Sequence, residues 1–311
     1  MRFSSYSMID DAYFIEEREN FHLPSKVHRF NPTIFFHNQR KYCLFRQETD
    51  VVNFYKSHLS YYLTELDRNN KMIHQSLQCQ FRVGDKTYSS ILRENVTDGY
   101  CTMEDIKIFP NRINQKIYGV ANTLVQASPK VVRSCIVCIH VAKLEIELIK
   151  ILTVPEISAI EKNWYPFQYR EKYYMILRLF PEFVCYELNT NDFSLDRRRS
   201  MNFFTQLEDS KIMMNLYRSY RDLYMTCVSI LPLKEGTYQM ITKVRKKNGN
   251  YEYYLADFQF SDKYIDLKVN LKPYFIGSKY FLNDVKQKDN KIIECWGIQD
   301  HTFDFQNRIF S

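Results

Sequence analysis

The chain has 311 residues, 45% of them hydrophobic, and a formal net charge of +7 at pH 7. A chain of this length buries a large core in one or two domains without disulfide or metal staples. Its basic runs, Arg197-Arg198-Arg199 and Lys246-Lys247, are too short to form the clustered basic face of a nucleic-acid binder, so no nucleic-acid partner is expected.

The N-terminal stretch from Met1 to Asp11 lacks a continuous apolar segment. No part of the chain approaches the ~18 apolar residues of a membrane span, so a soluble, cytoplasmic protein is expected. Residues 1–29 read as an N-terminal extension packing on the main body. From there the pattern is of short apolar or aromatic runs separated by polar turns. Thr33 to Phe36 and Tyr42 to Arg46 form a hairpin across His37-Asn38-Gln39-Arg40. Ile106–Phe109 with Lys116–Asn122, Phe167–Tyr169 with Tyr173–Leu179, and Tyr238–Val244 with Tyr251–Phe258 repeat the pattern, and Ile292–Trp296 is a last strand. The 24 Tyr and 23 Phe, against 7 Gly, also favour strands, because aromatic rings suit a half-buried pleated surface. Those rings serve either a sugar-lining surface or packing between sheets.

The expected fold class is therefore all-β. Hairpins recurring about every 60 residues match four-stranded blades with long connections, although periodicity alone equally permits a sandwich or a β-rich mixed fold. Arg197 to Tyr220 is the one stretch with helical spacing, through Phe203, Leu207, Met213, Leu216 and Tyr220. No Pro/Gly/Ser-rich linker interrupts the chain, which reads as a single domain over 1–311.

Neither GxGxxG nor GxxxxGKS/T occurs, so no glycine loop cradles a nucleotide phosphate. The eight cysteines (Cys43, Cys79, Cys101, Cys135, Cys138, Cys185, Cys227, Cys295) lie within apolar stretches, as reduced core thiols do. Cys135 and Cys138 share a strand, where an offset of three puts them on opposite faces, and His140 follows with no second ligand cluster. No metal and no other cofactor is expected. The sequon Asn95-Val96-Thr97 is of a kind that arises by chance.

The most specific segment is Glu161-Lys162-Asn163-Trp164-Tyr165-Pro166-Phe167, followed by the strand Tyr173–Leu177. It resembles a hallmark of glycoside hydrolase family 130, the inverting β-mannoside phosphorylases, and of the related β-1,2-mannosyltransferases and phosphorylases of glycosyltransferase family 108. Asn31-Pro32-Thr33-Ile34 with Arg46 resembles the family's first-blade pattern. Met103-Glu104-Asp105-Ile106-Lys107-Ile108-Phe109 resembles its EDPR segment, and Trp296-Gly297-Ile298-Gln299-Asp300 its closing GxxD. The likeness runs in order through most of the chain.

The resemblance implies a five-bladed β-propeller with a carbohydrate-binding funnel at its axis, acting on mannosides with phosphate or a sugar phosphate. It places Asp105 as the acid that protonates the leaving oxygen while the acceptor attacks the anomeric carbon from the opposite face. Such an acid must be neutral, which predicts a carboxyl raised by burial and by Glu104. Asn31, Glu104, Asn163 and Asp300 would hold sugar hydroxyls. Arg46, Lys107, Lys162 and Lys243 would bind phosphate, and Trp164 would offer a sugar an apolar face, plain core packing being its alternative. The chain departs from the family pattern at Lys107, which replaces an arginine and loses its bidentate fork, at Ile106, which replaces a proline, and at Glu182, where relatives place a phosphate-binding histidine. Three readings follow: a phosphorylase or mannosyltransferase; a hydrolase with Glu182 as base, about 6.5–9.5 Å from Asp105; or a non-catalytic carbohydrate-binding propeller.

Overall fold

Alternating apolar runs and short polar turns close here into antiparallel meanders. The computed structural model describes residues 28–48, 60–83, 86–87, 103–126, 131–155, 163–179, 182–202, 225–234, 236–245, 251–261, 265–277, 280–288, 291–298 and 302–309. Most of the N-terminal extension, the Asn95 sequon and Lys246-Lys247 lie outside them.

The first sheet orders β1 (His28–His37), β2 (Arg40–Glu48), β3 (Ser60–Leu66) and β4 (Leu77–Gln78). Next in the chain come β5 (Gln80–Val83) and β6 (Lys86–Thr87), which extend the second sheet. That sheet consists of β7 (Met103–Ile108), β8 (Ile117–Gln126), β9 (Val131–His140) and β10 (Glu145–Ile151), and β5 pairs in parallel with β10, covering its edge. The third sheet is β11 (Tyr165–Tyr169), β12 (Lys172–Arg178), β13 (Glu182–Leu188) and β14 (Leu195–Asn202). The fourth is β15 (Met225–Lys234), β16 (Thr237–Arg245), β17 (Tyr251–Phe260) and β18 (Ile265–Gly277). The last is β19 (Tyr280–Lys288), β20 (Lys291–Ile298) and β21 (Thr302–Ile309).

The first strand of each sheet touches the first strand of the next: β1 meets β7, β7 meets β11, β11 meets β15, β15 meets β19, and β19 returns to β1. This ring of sheets is an all-β propeller. Expected as five blades, it has among the described residues four complete four-stranded meanders and a three-stranded last sheet. The expected hairpins all form. The expected helix does not begin as one. Leu195–Asn202 is the strand β14, paired with β13, because the open edge of β13 offers backbone partners that outweigh a loose helical spacing. The rest of that stretch, 203–224, is outside the described residues.

Each gap between neighbouring sheets is filled by its own apolar layer, and this is where the aromatic excess goes. Phe167, Tyr174 and Phe183 interlock with Tyr238, Phe258 and Phe260 between the third and fourth sheets. The Tyr174 and Phe260 ring centroids are 4.6 Å apart in an edge contact, the geometry aromatic pairs prefer. Between the last sheet and the first, Ile34 and Phe45 pack on Ile293 and Cys295. The seven described cysteines are free and buried. Cys135 enters the layer toward the first sheet and Cys138 the layer toward the third, on opposite faces of β9. No helix among the described residues is long and apolar enough to cross a membrane.

Candidate active site

Four of the first strands are broken near their starts by a register shift: Phe30/Thr33 in β1, Glu104/Lys107 in β7, Cys227/Ser229 in β15 and Leu282/Asp284 in β19. In β1 and β7 the break sets two residues, Asn31-Pro32 and Asp105-Ile106, against one on the second strand. Asn31 and Asp105 take left-handed backbone there, with φ of 52° and 54°, and Asn163, just before β11, has φ 66°. Asn and Asp enter this region more readily than other residues with a Cβ, and a bulge re-aims the side chain it carries. The bulge in β7 also needs bare backbone beside it. A Cβ on Gly119 of β8 would lie 2.9 Å from Ile106 Cγ2.

The two equivalent bulges meet. Asn31 Nδ2 donates to Asp105 Oδ1 across the joint between the first two sheets. Arg46, paired with Phe30 on β2, brings its guanidinium to 3.6 Å from Asp105 Oδ1 and 3.9 Å from Glu104 Oε1. The Arg46 side chain is 7% exposed, whereas Asp105 is 20% and Glu104 30% exposed, so the cation forms a sealed floor beneath an open carboxylate lip. Arg46 therefore stands beside both Asp105 and Glu104. Tyr61 lies opposite Arg46 on β3, and burial pushes its phenol far up, so it stays protonated.

Asn163 is held by a pair of residues that sequence reasoning missed. Asn122 Oδ1 accepts from the Asn163 backbone N–H at 2.9 Å, and Asn122 Nδ2 donates to Asn163 Oδ1 at 3.3 Å. Ser134 Oγ donates to Asn122 Oδ1 at 3.2 Å. The available signal was an Asn and a Ser inside apolar strands, since buried polar groups require partners.

Lys107, two residues beyond Asp105, belongs to a different network. Its Nζ donates to Asn283 Oδ1 at 3.1 Å, and Asn283 Nδ2 donates to Pro32 O at 2.7 Å. Asp284 accepts from Thr33 Oγ1, and its Oδ2 lies 3.2 Å from Lys286 Nζ, which also donates to Ile108 O at 3.1 Å. Ser229 Oγ donates to Val285 O at 2.7 Å and lies 3.3 Å from the Tyr165 hydroxyl. All the first strands are thereby tied by side chains at the axis. Lys107 was expected to bind phosphate, but it is buried and occupied in this seal, and burial lowers its pKa against the opposing pull of Asp284.

Two further expectations are corrected. Trp164 is 1% exposed and packs with Phe109, Ile136 and Met175 between the second and third sheets, leaving no ring face for a sugar. The cause is the left-handed turn at Asn163, after which the next side chain enters the inter-sheet layer. Glu182, the expected base, is held by Arg198, which donates to its two oxygens at 3.0 and 2.9 Å, and by Arg178 at 3.6 Å. Both of its oxygens are thus engaged by arginines. Lys243 lies on the second strand of its sheet, its Nζ 5.5 Å from the Tyr251 ring centroid. Lys162 and Asp300 are outside the described residues.

No protein-family model matches the chain, and no curated protein matches it by sequence. Solved structures do match in fold. A β-1,2-mannobiose phosphorylase from Listeria innocua, in complex with β-1,2-mannobiose, aligns over 92% of both chains at 10% identity with a TM-score of 0.59. The fold resembles that of the family 130 mannoside phosphorylases. A mannose phosphorylase from Leishmania mexicana in complex with a phosphate ion aligns over 92% of this chain and 84% of its own, at 10% identity and a TM-score of 0.52. A GH43_1 enzyme from Xanthomonas citri complexed with xylotriose covers 93% of this chain and 89% of its own, at 8% identity and a TM-score of 0.52.

Proposed function

We propose that the chain is a carbohydrate-active enzyme of the inverting β-mannoside phosphorylase or mannosyltransferase type, built as one five-bladed domain over 1–311 with the three-stranded sheet as its last blade. The observation that carries this reading is the Asn31–Asp105–Arg46 constellation, set on paired bulges at the starts of β1 and β7. The mannobiose and phosphate held by the two phosphorylases of the same fold support the choice of substrate class.

In this reading Asp105 gives its proton to the glycosidic oxygen, directly or through a sugar hydroxyl, as the bond from that oxygen to the anomeric carbon breaks. A phosphate oxygen or acceptor hydroxyl bonds to the anomeric carbon from the opposite face, inverting it. Asn31, Glu104, Asn163 and Asp300 hold sugar hydroxyls. Arg46, with Lys162 and Lys243, supplies positive charge to the anionic group. Proton donation requires a neutral Asp105, so the incoming anion draws Arg46 away from that carboxylate. The same pairing favours a second reading, a propeller that binds sugar without turning it over.

Product analysis separates the two. The full chain is incubated with mannose 1-phosphate and a panel of mannosides, with and without phosphate, beside Asp105→Asn. Phosphate-dependent turnover that falls by about 100-fold or more in Asp105→Asn is expected, the scale of a lost general acid. Turnover indifferent to that substitution overturns the assignment, and sugar binding with no turnover establishes the second reading.

A further inference from the structure

Asp105 and Asn31 sit at the starts of the first strands. At the other end, where first strands turn into second strands, lies a cavity of about 550 Å³. From Asp105 to Ile108, which lines it, is about 10 Å along β7. Small-molecule sites span roughly 300–1,000 Å³, so the space is of ligand size. Ile108, Pro166, Pro232 and Tyr238 give it apolar faces, and Arg170 and Lys286 give it positive charge. No Asp or Glu lines it among the described residues.

Two features make this a formed site. An ammonium has three donors; Lys286 directs two of them to Asp284 Oδ2 at 3.2 Å and Ile108 O at 3.1 Å, which leaves a donor for a ligand. The facing wall is fixed in advance. Asn111 Nδ2 donates to Gln168 Oε1 at 2.6 Å, Gln168 Nε2 donates to Arg170 O at 2.7 Å, and the Tyr238 hydroxyl donates to Gln168 O at 2.8 Å. Three neighbouring hairpin turns are thus locked before any ligand arrives, which lowers the ordering cost of binding.

We propose that this cavity binds a small molecule that joins an anionic group to a flat apolar body. The anion meets Lys286 and Arg170, and the body lies against the proline rings. This site stands apart from the Asp105 constellation and does not depend on the function proposed for it.

Phenyl phosphate is the probe, titrated calorimetrically into the full chain, with inorganic phosphate and benzyl alcohol as the two halves of the ligand. Saturable binding of phenyl phosphate is expected, about tenfold or more tighter than either half. Arg170→Glu, which reverses an exposed charge, and Pro232→Trp, which narrows the cavity, should each weaken it about tenfold, whereas Arg46→Ala should leave it unchanged. The proposal fails if no saturable binding is seen, if inorganic phosphate binds as tightly as phenyl phosphate, or if binding is lost in Arg46→Ala and kept in Arg170→Glu and Pro232→Trp.

Discussion

Asp105 and Asp284 are both aspartates at a strand bulge, one on β7 and one on β19, and each lies beside a cation. The Asp105 side chain is 20% exposed at an open lip, and Asp284 is wholly buried among Thr33, Lys286 and the Val285 backbone. The same local device therefore serves two ends. Where it opens to solvent, a carboxylate stays accessible; where the ring of sheets closes over it, the carboxylate becomes part of the seal. Lys107 shows how fine the division is, since it follows Asp105 by two residues and falls on the sealed side.

The largest test of this contrast is Asp284→Ala. It removes a wholly buried carboxylate from Thr33, Lys286 and the Val285 backbone and should cost about 3–5 kcal/mol in urea unfolding. Asp105→Ala, where Glu104 remains beside Arg46, should cost less, about 1–3 kcal/mol. Equal losses would erase the distinction between lip and seal.

Trp164→Ala probes the same boundary from the apolar side. Emptying a buried indole site should cost about 3–5 kcal/mol, with sugar affinity per folded molecule unchanged. Weakened sugar binding at intact stability would instead return Trp164 to the substrate surface.

A gentler effect is expected in alkali. Burial pushes the Cys135 and Cys185 thiols up to about 12 from an ordinary 9.0. Below pH ~9 they are protonated in both folded and unfolded chains and add no pH dependence. Above it the unfolded chain loses these protons while the folded chain keeps them, so stability falls between pH 9 and 12. Lys107, lowered by burial, works in the opposite direction, because the unfolded chain then holds the extra proton. Thiols of this kind, Cys79 and Cys138 among them, outnumber it. An unfolding midpoint followed from pH 8 to 12 should therefore drop, and Cys185→Ala should shallow the drop. A flat profile would mean that the thiols are not sealed in the layers between sheets.

Much of this molecule was legible along the chain. Alternation of apolar and polar residues is a local property, so the hairpins at Thr33–Arg46, Ile106–Asn122 and Tyr238–Phe258 could be read directly, as could the burial of the cysteines and their opposite faces on β9. Asn31, Arg46, Glu104 and Asp105 were found through family resemblance, and the structure brings those four together. Asn283, Asp284 and Lys286 gave no such signal, because Phe281-Leu282-Asn283-Asp284-Val285-Lys286 reads as an ordinary half-exposed strand. Period-two alternation states which side of its own strand a residue takes. It does not state what stands opposite, and each bulge resets the count. Whether Lys107 reaches a ligand or Asn283 is set by a strand 176 residues away, whereas whether Trp164 faces sugar or Met175, and whether Glu182 stays free or is held by arginines, are set by how neighbouring strands of the third sheet pair and pack. The Lys107 contact forms only when the second and last sheets meet across the axis.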